Sequence, residues 1–166
     1  MRLTEVKTEP EIIVMVGLPG SGKSTWRDAM LAKSDREYVI ISSDDEIEAL
    51  AAEAGTTYSA GFKQFIGKAT AISKQKFREA VNKGRNILWD QTNLNPKKRK
   101  SILSQVPEEY TKTAVVFNIT AHELQQRLDK REKETGKFIP PNVMKDMARS
   151  YRPPTKEEGF DTVSFV

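Results

Sequence analysis

Ile12-Ile13-Val14-Met15-Val16-Gly17-Leu18-Pro19-Gly20-Ser21-Gly22-Lys23-Ser24-Thr25 is the stretch that decides the fold. Its first five residues are apolar and mostly β-branched, the pattern of a short strand covered on both faces. Glycines at 17, 20 and 22 then break the run, and Lys23 opens a helical period. Strand, glycine-rich turn and helix in that order match Gly-x4-Gly-Lys-Ser/Thr at Gly17, Gly22, Lys23 and Ser24. The glycines let successive backbone amides converge on one anion, and the helix start adds unpaired N–H groups and a positive dipole end. The Lys23 ammonium suits β and γ phosphates, and the Ser24 hydroxyl suits Mg²⁺. A chance match in a chain of this length is expected roughly once in a hundred. The stretch therefore predicts a cradle for a nucleoside triphosphate, ATP being the commoner choice, with Pro19, Ser21 and Thr25 in its wall.

Outward from the cradle, apolar runs alternate with helical periods. Strands are predicted at Ile12–Val16, Tyr38–Ser42, Asn86–Asp90, Thr113–Asn118 and Thr162–Val166. Helices are predicted over Lys23–Lys33, Asp44–Ala54 and Gly61–Lys83, the last stopped by Gly84. Further helix starts are marked by Asn95-Pro96, by the capping box Thr120-Ala121-His122-Glu123 and by Pro140-Pro141-Asn142. Strands separated by helices argue for a mostly parallel α/β sheet with both faces covered. The chain of 166 residues suits a single domain over 12–166 after a flexible lead at 1–11. With no cysteine, a disulfide framework, a cysteine-ligated metal site and thiol catalysis are excluded. The longest apolar run is too short to span a bilayer, so the expected setting is cytoplasmic, with the nucleus left open and no membrane partner. A net charge of +4 is compatible with an anionic partner but does not specify one.

Two carboxylate positions stand out. Tyr38 to Ile41 runs into Ser42-Ser43-Asp44-Asp45-Glu46, and ligands of open parallel sheets sit at the carboxyl ends of strands. Asp44 or Asp45 could accept a proton from an attacking hydroxyl; equally, Ser43 and Glu46 form a capping box and the acids favour the helix dipole. Asn86 to Trp89 ends in Asp90, which fits the Mg²⁺ side of a triphosphate site or a plain strand-closing turn. Gln91, Thr92 and Asn93 follow in a loop placed to hold a substrate. Lys97-Lys98-Arg99-Lys100 puts cations at a helix start, where the dipole disfavours them, which reads either as a phosphate contact or as a solvated face. Arg127 to Lys137 mixes charges of both signs, as in a salt-bridged helix or as in a mobile lid whose arginine closes over phosphates.

The combination resembles the polynucleotide 5′-hydroxyl kinases of phage and eukaryotes. Gly17 to Trp26 is similar to that family's first motif, Thr92-Asn93-Leu94-Asn95-Pro96 to a distinctive loop, and Arg127 with Arg131 to its lid. The resemblance implies a three-layer P-loop NTPase fold of adenylate-kinase type, with a five-stranded sheet and a helical lid at about 127–139. It implies Asp44 as general base, Lys23 and Arg131 as catalytic cations, and Arg127 beside them on the nucleotide. Ser24 and Asp90 would serve Mg²⁺, and Asp45, Asp90, Gln91, Thr92 and Asn93 the substrate. The implied partner is a nucleic acid with a 5′-hydroxyl end, and the implied setting is its repair. Ser43 and Ile47 depart from the family, which has arginines there for the substrate strand. A small-molecule or nucleoside acceptor is therefore the alternative. Asp90-Gln91-Thr92-Asn93 also resembles the P-loop domain of the nuclear ribonucleoprotein U, which implies a non-catalytic, nucleotide-gated RNA-binding module as a third reading.

Overall fold

The computed structural model describes residues 9–166. Five strands, β1 (Glu11–Val16), β2 (Tyr38–Ile41), β3 (Asn86–Trp89), β4 (Thr111–Val116) and β5 (Thr162–Phe165), form one sheet in the order β2-β3-β1-β4-β5. Every pairing is parallel. Parallel neighbours need crossovers, and these are the helices α1 (Lys23–Lys33), α2 (Ser43–Glu53), α3 (Tyr58–Asn82), α4 (Pro96–Ser104), α5 (Ala121–Thr135) and α6 (Pro141–Ser150). A 3-10 turn at Lys156–Glu158 precedes β5. This is the expected α/β architecture. The lead expected over 1–11 lies mostly outside the described residues, and its last residue, Glu11, already belongs to β1.

β1 is central, and its side chains alternate between two apolar layers. Ile12, Val14 and Val16 meet Phe77 and Ala80 of α3, Ile102 and Leu103 of α4, and Phe160. Ile13 and Met15 face the other way, with Leu88, Val115, Phe117 and, from α1, Trp26 and Met30. Period 2 with both faces apolar explains why the sequence shows an unbroken hydrophobic run rather than an alternation. The apolar side chains of α3 are buried only in part: Ala69, Phe77 and Ala80 are covered, whereas Phe62, near the start of the helix, is exposed.

Arg99 departs most from a surface reading. It is fully buried and donates to both carboxylate oxygens of Glu158, at 2.8 and 2.7 Å, and to the carbonyls of Asn93, Leu94 and Arg152. The middle of the basic run at 97–100 is thus an internal clamp. It fixes the loop after β3 to the segment before β5. Among the described residues, no helix is long and apolar enough to cross a membrane.

Candidate active site

The carboxyl ends of β1, β2 and β3 converge on one crevice. Gly17 continues β1, and its N–H donates to the Thr92 carbonyl at 3.0 Å, which joins the glycine loop to the loop after β3. Gly20 and Gly22 have φ of 83° and 102°, left-handed values that a side chain would strain. A Cβ at Gly22 would come within 3.0 Å of the Arg127 guanidinium, and one at Gly20 within 3.1 Å of Leu128. Helix α5 therefore packs directly over the loop and brings Arg127 to it. The Ser21 hydroxyl is buried without a hydrogen-bond partner. The Lys23 ammonium donates to the carbonyls of Gly17 and Leu18, at 2.7 and 3.1 Å. An anion would draw it from these neutral acceptors. The tight glycines, the orphaned Ser21 hydroxyl and the available lysine fit a phosphate chain.

Burial lowers the Lys23 pKa to about 8, with Asp90 and Asp44 opposing the shift and Arg131 adding to it. Lys23 thus lies within charge range of Asp90, Asp44 and Arg131. Asp44 lies in the first turn of α2, whose cap is Ser42, its hydroxyl accepting from the Asp45 N–H at 3.2 Å. The capping box expected from Ser43 and Glu46 is displaced by one residue. Ser43 instead accepts from the Gln91 amide at 2.7 Å, and Gln91 Oε1 accepts from the Trp89 indole and from Lys98. Asp44 is exposed to the crevice and accepts from the Tyr58 phenol at 2.6 Å.

Asp90 is buried at the end of β3, its N–H donating to the Ile41 carbonyl. Burial raises its pKa, with Arg27 and Lys23 opposing. One Arg27 nitrogen bridges Asp90 and Asp45, at 2.8 and 3.0 Å. Asp45 is thereby tied to Arg27 through one carboxylate oxygen. Asn93 is fully buried, adopts φ of 46°, and donates its amide to the Met15 carbonyl at 2.8 Å, so its amide shapes the loop, while its Oδ1 is left without a hydrogen-bond partner. Ser24 and Thr25 are exposed at the start of α1. Ser24 with Asp90 could serve a divalent cation held mainly by phosphates, since among the described residues no cluster of three or more metal-ligating side chains occurs.

The sequence reading missed Arg27, Tyr58 and Lys137. Burial lowers the Lys137 pKa while Asp44 and Asp45 oppose it, so this lysine lies within charge range of both carboxylates. At the two positions where the resembled family carries arginines, Ile47 is fully buried and Ser43 is bonded to Gln91.

A sequence profile for the AAA domain matches residues 12–154. The chain belongs to the AAA domain family. Within that family its glycine loop, parallel sheet and covering helix α5 make it a kinase-like P-loop protein. It is 25% identical over 163 residues to the heterogeneous nuclear ribonucleoprotein U-like protein 2 of Mus musculus, an alignment covering 95% of this chain and 22% of that protein. It is 25% identical over 153 residues to the L-seryl-tRNA(Sec) kinase of Methanococcus maripaludis, covering 90% of this AAA domain chain and 56% of the kinase. The chain thus spans about a fifth of one relative and just over half of the other. Among solved structures, a chain of the Pnkp1/Rnl/Hen1 RNA repair complex superposes with a TM-score of 0.65 at 24% identity, covering 89% of this chain and 46% of that one. That likeness concerns the fold.

Proposed function

We propose that this protein transfers the γ-phosphate of ATP to a hydroxyl, and that the acceptor is the 5′-hydroxyl of DNA or RNA. The observation that carries this reading is Asp44, exposed in the first turn of α2 just past β2 and within charge range of Lys23, which in turn senses Arg131. In the transfer Asp44 takes the acceptor proton, the acceptor oxygen bonds to the γ-phosphorus, and the bond to the departing ADP oxygen breaks. Lys23 neutralises charge on the phosphates, and Arg127 and Arg131 approach them from α5, the wall of a lid running to about 139. Ser24 and Asp90 would hold Mg²⁺, which when bound would supply further charge neutralisation to the phosphates. Gln91 and Thr92 line the acceptor side, where Lys98 and Lys137 supply the positive charge that Ser43 and Ile47 do not.

Two relatives bear on the choice of acceptor. The seryl-tRNA(Sec) kinase is by its name a kinase acting on an RNA-borne group, which supports phosphoryl transfer. The similarity to the ribonucleoprotein U-like protein favours a second reading, a nucleotide-gated RNA-binding module without turnover. A small-molecule acceptor is a third reading, favoured by the two missing arginines. The readings separate in one experiment: γ-labelled ATP is incubated with 5′-hydroxyl DNA and RNA oligomers and with small alcohols and nucleosides. Labelled 5′ ends are expected, with Asp44→Asn reducing transfer about 10²- to 10⁴-fold while ATP binding persists. Label on a small acceptor alone would replace the polynucleotide, and RNA binding without transfer to anything would favour the module. Full activity in Asp44→Asn would remove Asp44 as base.

A further inference from the structure

We propose that Tyr58 is a positioning residue that aligns Asp44 and couples that alignment to the seating of the segment after α5. This rests on the reading of Asp44 as the base and adds a residue to it. Tyr58 is the first residue of α3, a helix capped by Thr57, whose hydroxyl accepts from the Ala60 N–H. Its phenol donates to Asp44 Oδ1 at 2.6 Å. A carboxylate held through one oxygen keeps the other in a fixed direction, and Oδ2 is then the atom left to take an acceptor proton.

The tyrosine is itself held from the far side. The Lys137 ammonium stands 4.8 Å from the centre of its ring, and the same ammonium pairs with Glu48 of α2. The neighbouring Ser59 hydroxyl donates to the Gly136 carbonyl at 3.1 Å and accepts from the Phe138 N–H at 3.4 Å. Residues 136–138 therefore grip the same helix end that presents Tyr58 to Asp44. They continue directly from α5, which brings Arg127 over Gly22 and carries Arg131 one turn later. Through one rigid helix, the cations of the donor side are linked to the orientation of the base on the acceptor side. Packing alone would account for the ring lying near Phe62, at 5.8 Å between centroids, but not for the polar end of Tyr58 being spent on Asp44.

The test is a double-mutant cycle in the labelled-ATP transfer assay, or in ATP hydrolysis if water is the acceptor turned over. Tyr58→Phe should lower kcat about tenfold, the loss expected of one hydrogen bond to a charged group, with both KM values unchanged. In the Asp44→Asn background the same substitution should change the residual rate less than twofold, because its effect passes through Asp44. Equal losses in both backgrounds, or a change confined to KM, would overturn the proposal. If Asp44→Asn keeps full activity, the base assignment fails. If it is impaired while Tyr58→Phe is not, only the present inference fails. A second readout needs no turnover. Burial, then the bond and charge of Asp44, raise the Tyr58 pKa, with Arg131 opposing. Alkaline difference titration of the phenol, isolated by subtracting Tyr58→Phe, should move to lower pH in Asp44→Asn, and an unmoved titration would show that the contact is not made.

Discussion

Replacing Arg99 by methionine removes five hydrogen bonds from a place that water does not reach, and the consequence can be worked from the structure. The guanidinium is 0% exposed and its partner Glu158 is 6% exposed. The substitution keeps most of the side-chain volume, so the cavity contribution is small. It leaves the Glu158 carboxylate with no counter-charge and removes a donor from the carbonyls of Asn93, Leu94 and Arg152. Breaking a buried pair from one side costs about 3–5 kcal/mol. For a chain of this size each kcal/mol lowers Tm by about 2–4 °C, so a fall on the order of 10 °C is expected by calorimetry or circular dichroism. Adding Glu158→Leu to Arg99→Met should recover much of the loss, since apolar replacement of both partners removes the stranded charge. The loop carrying Thr92 should loosen as well, and with it the bond to the Gly17 amide, so ATP affinity should fall in the single variant. A loss below about 1 kcal/mol, or a double variant no better than the single one, would refute the clamp.

Two further expectations concern protons. The Lys23 pKa, lowered to about 8 in the free protein, should rise when phosphates replace the carbonyls of Gly17 and Leu18. Nucleotide binding above pH 8 should then take up protons, measured by calorimetry in buffers of different ionisation enthalpy, and Lys23→Met should abolish that uptake. Removing Arg27 by Arg27→Met strips Asp90 and Asp45 of a shared cation. Burial already raises the Asp90 pKa above its unfolded value and Arg27 opposes it, so the folded state favours protonation further once Arg27 is gone. The stability penalty of Arg27→Met should therefore be full at pH above the variant's higher Asp90 pKa and shrink as pH falls from there toward the wild-type value. A penalty independent of pH in denaturant titrations would contradict this.

Much of the fold was legible because a parallel sheet writes itself plainly. Strands covered on both faces give short apolar runs, and helices α4, α5 and α6 start with a recognisable cap or proline. The cradle was equally plain, since the backbone conformation it needs admits few residues besides glycine. Side chains whose role depends on phase or on distant partners were less legible. Ser42 rather than Ser43 caps α2, a shift of one residue that the local pattern does not resolve. Asn93 sits in a left-handed conformation inside a loop that looked available to a substrate. Arg99 did carry a signal: it precedes Ile102 and Leu103 by three and four residues, and all three face inward. Tyr58 and Lys137 carry none, because what joins them to Asp44 is the packing of α2, α3 and the segment after α5.

The clamp between Arg99 and Glu158 also sets an order of assembly. The two residues are 59 positions apart, and chains grow by about 5–20 residues per second. For several seconds of synthesis the glycine loop, Asp44 and the loop after β3 all exist, while the cation beneath that loop has no carboxylate to meet. The clamp beneath the phosphate cradle therefore closes only once Glu158 has been made, well after the residues of the cradle itself.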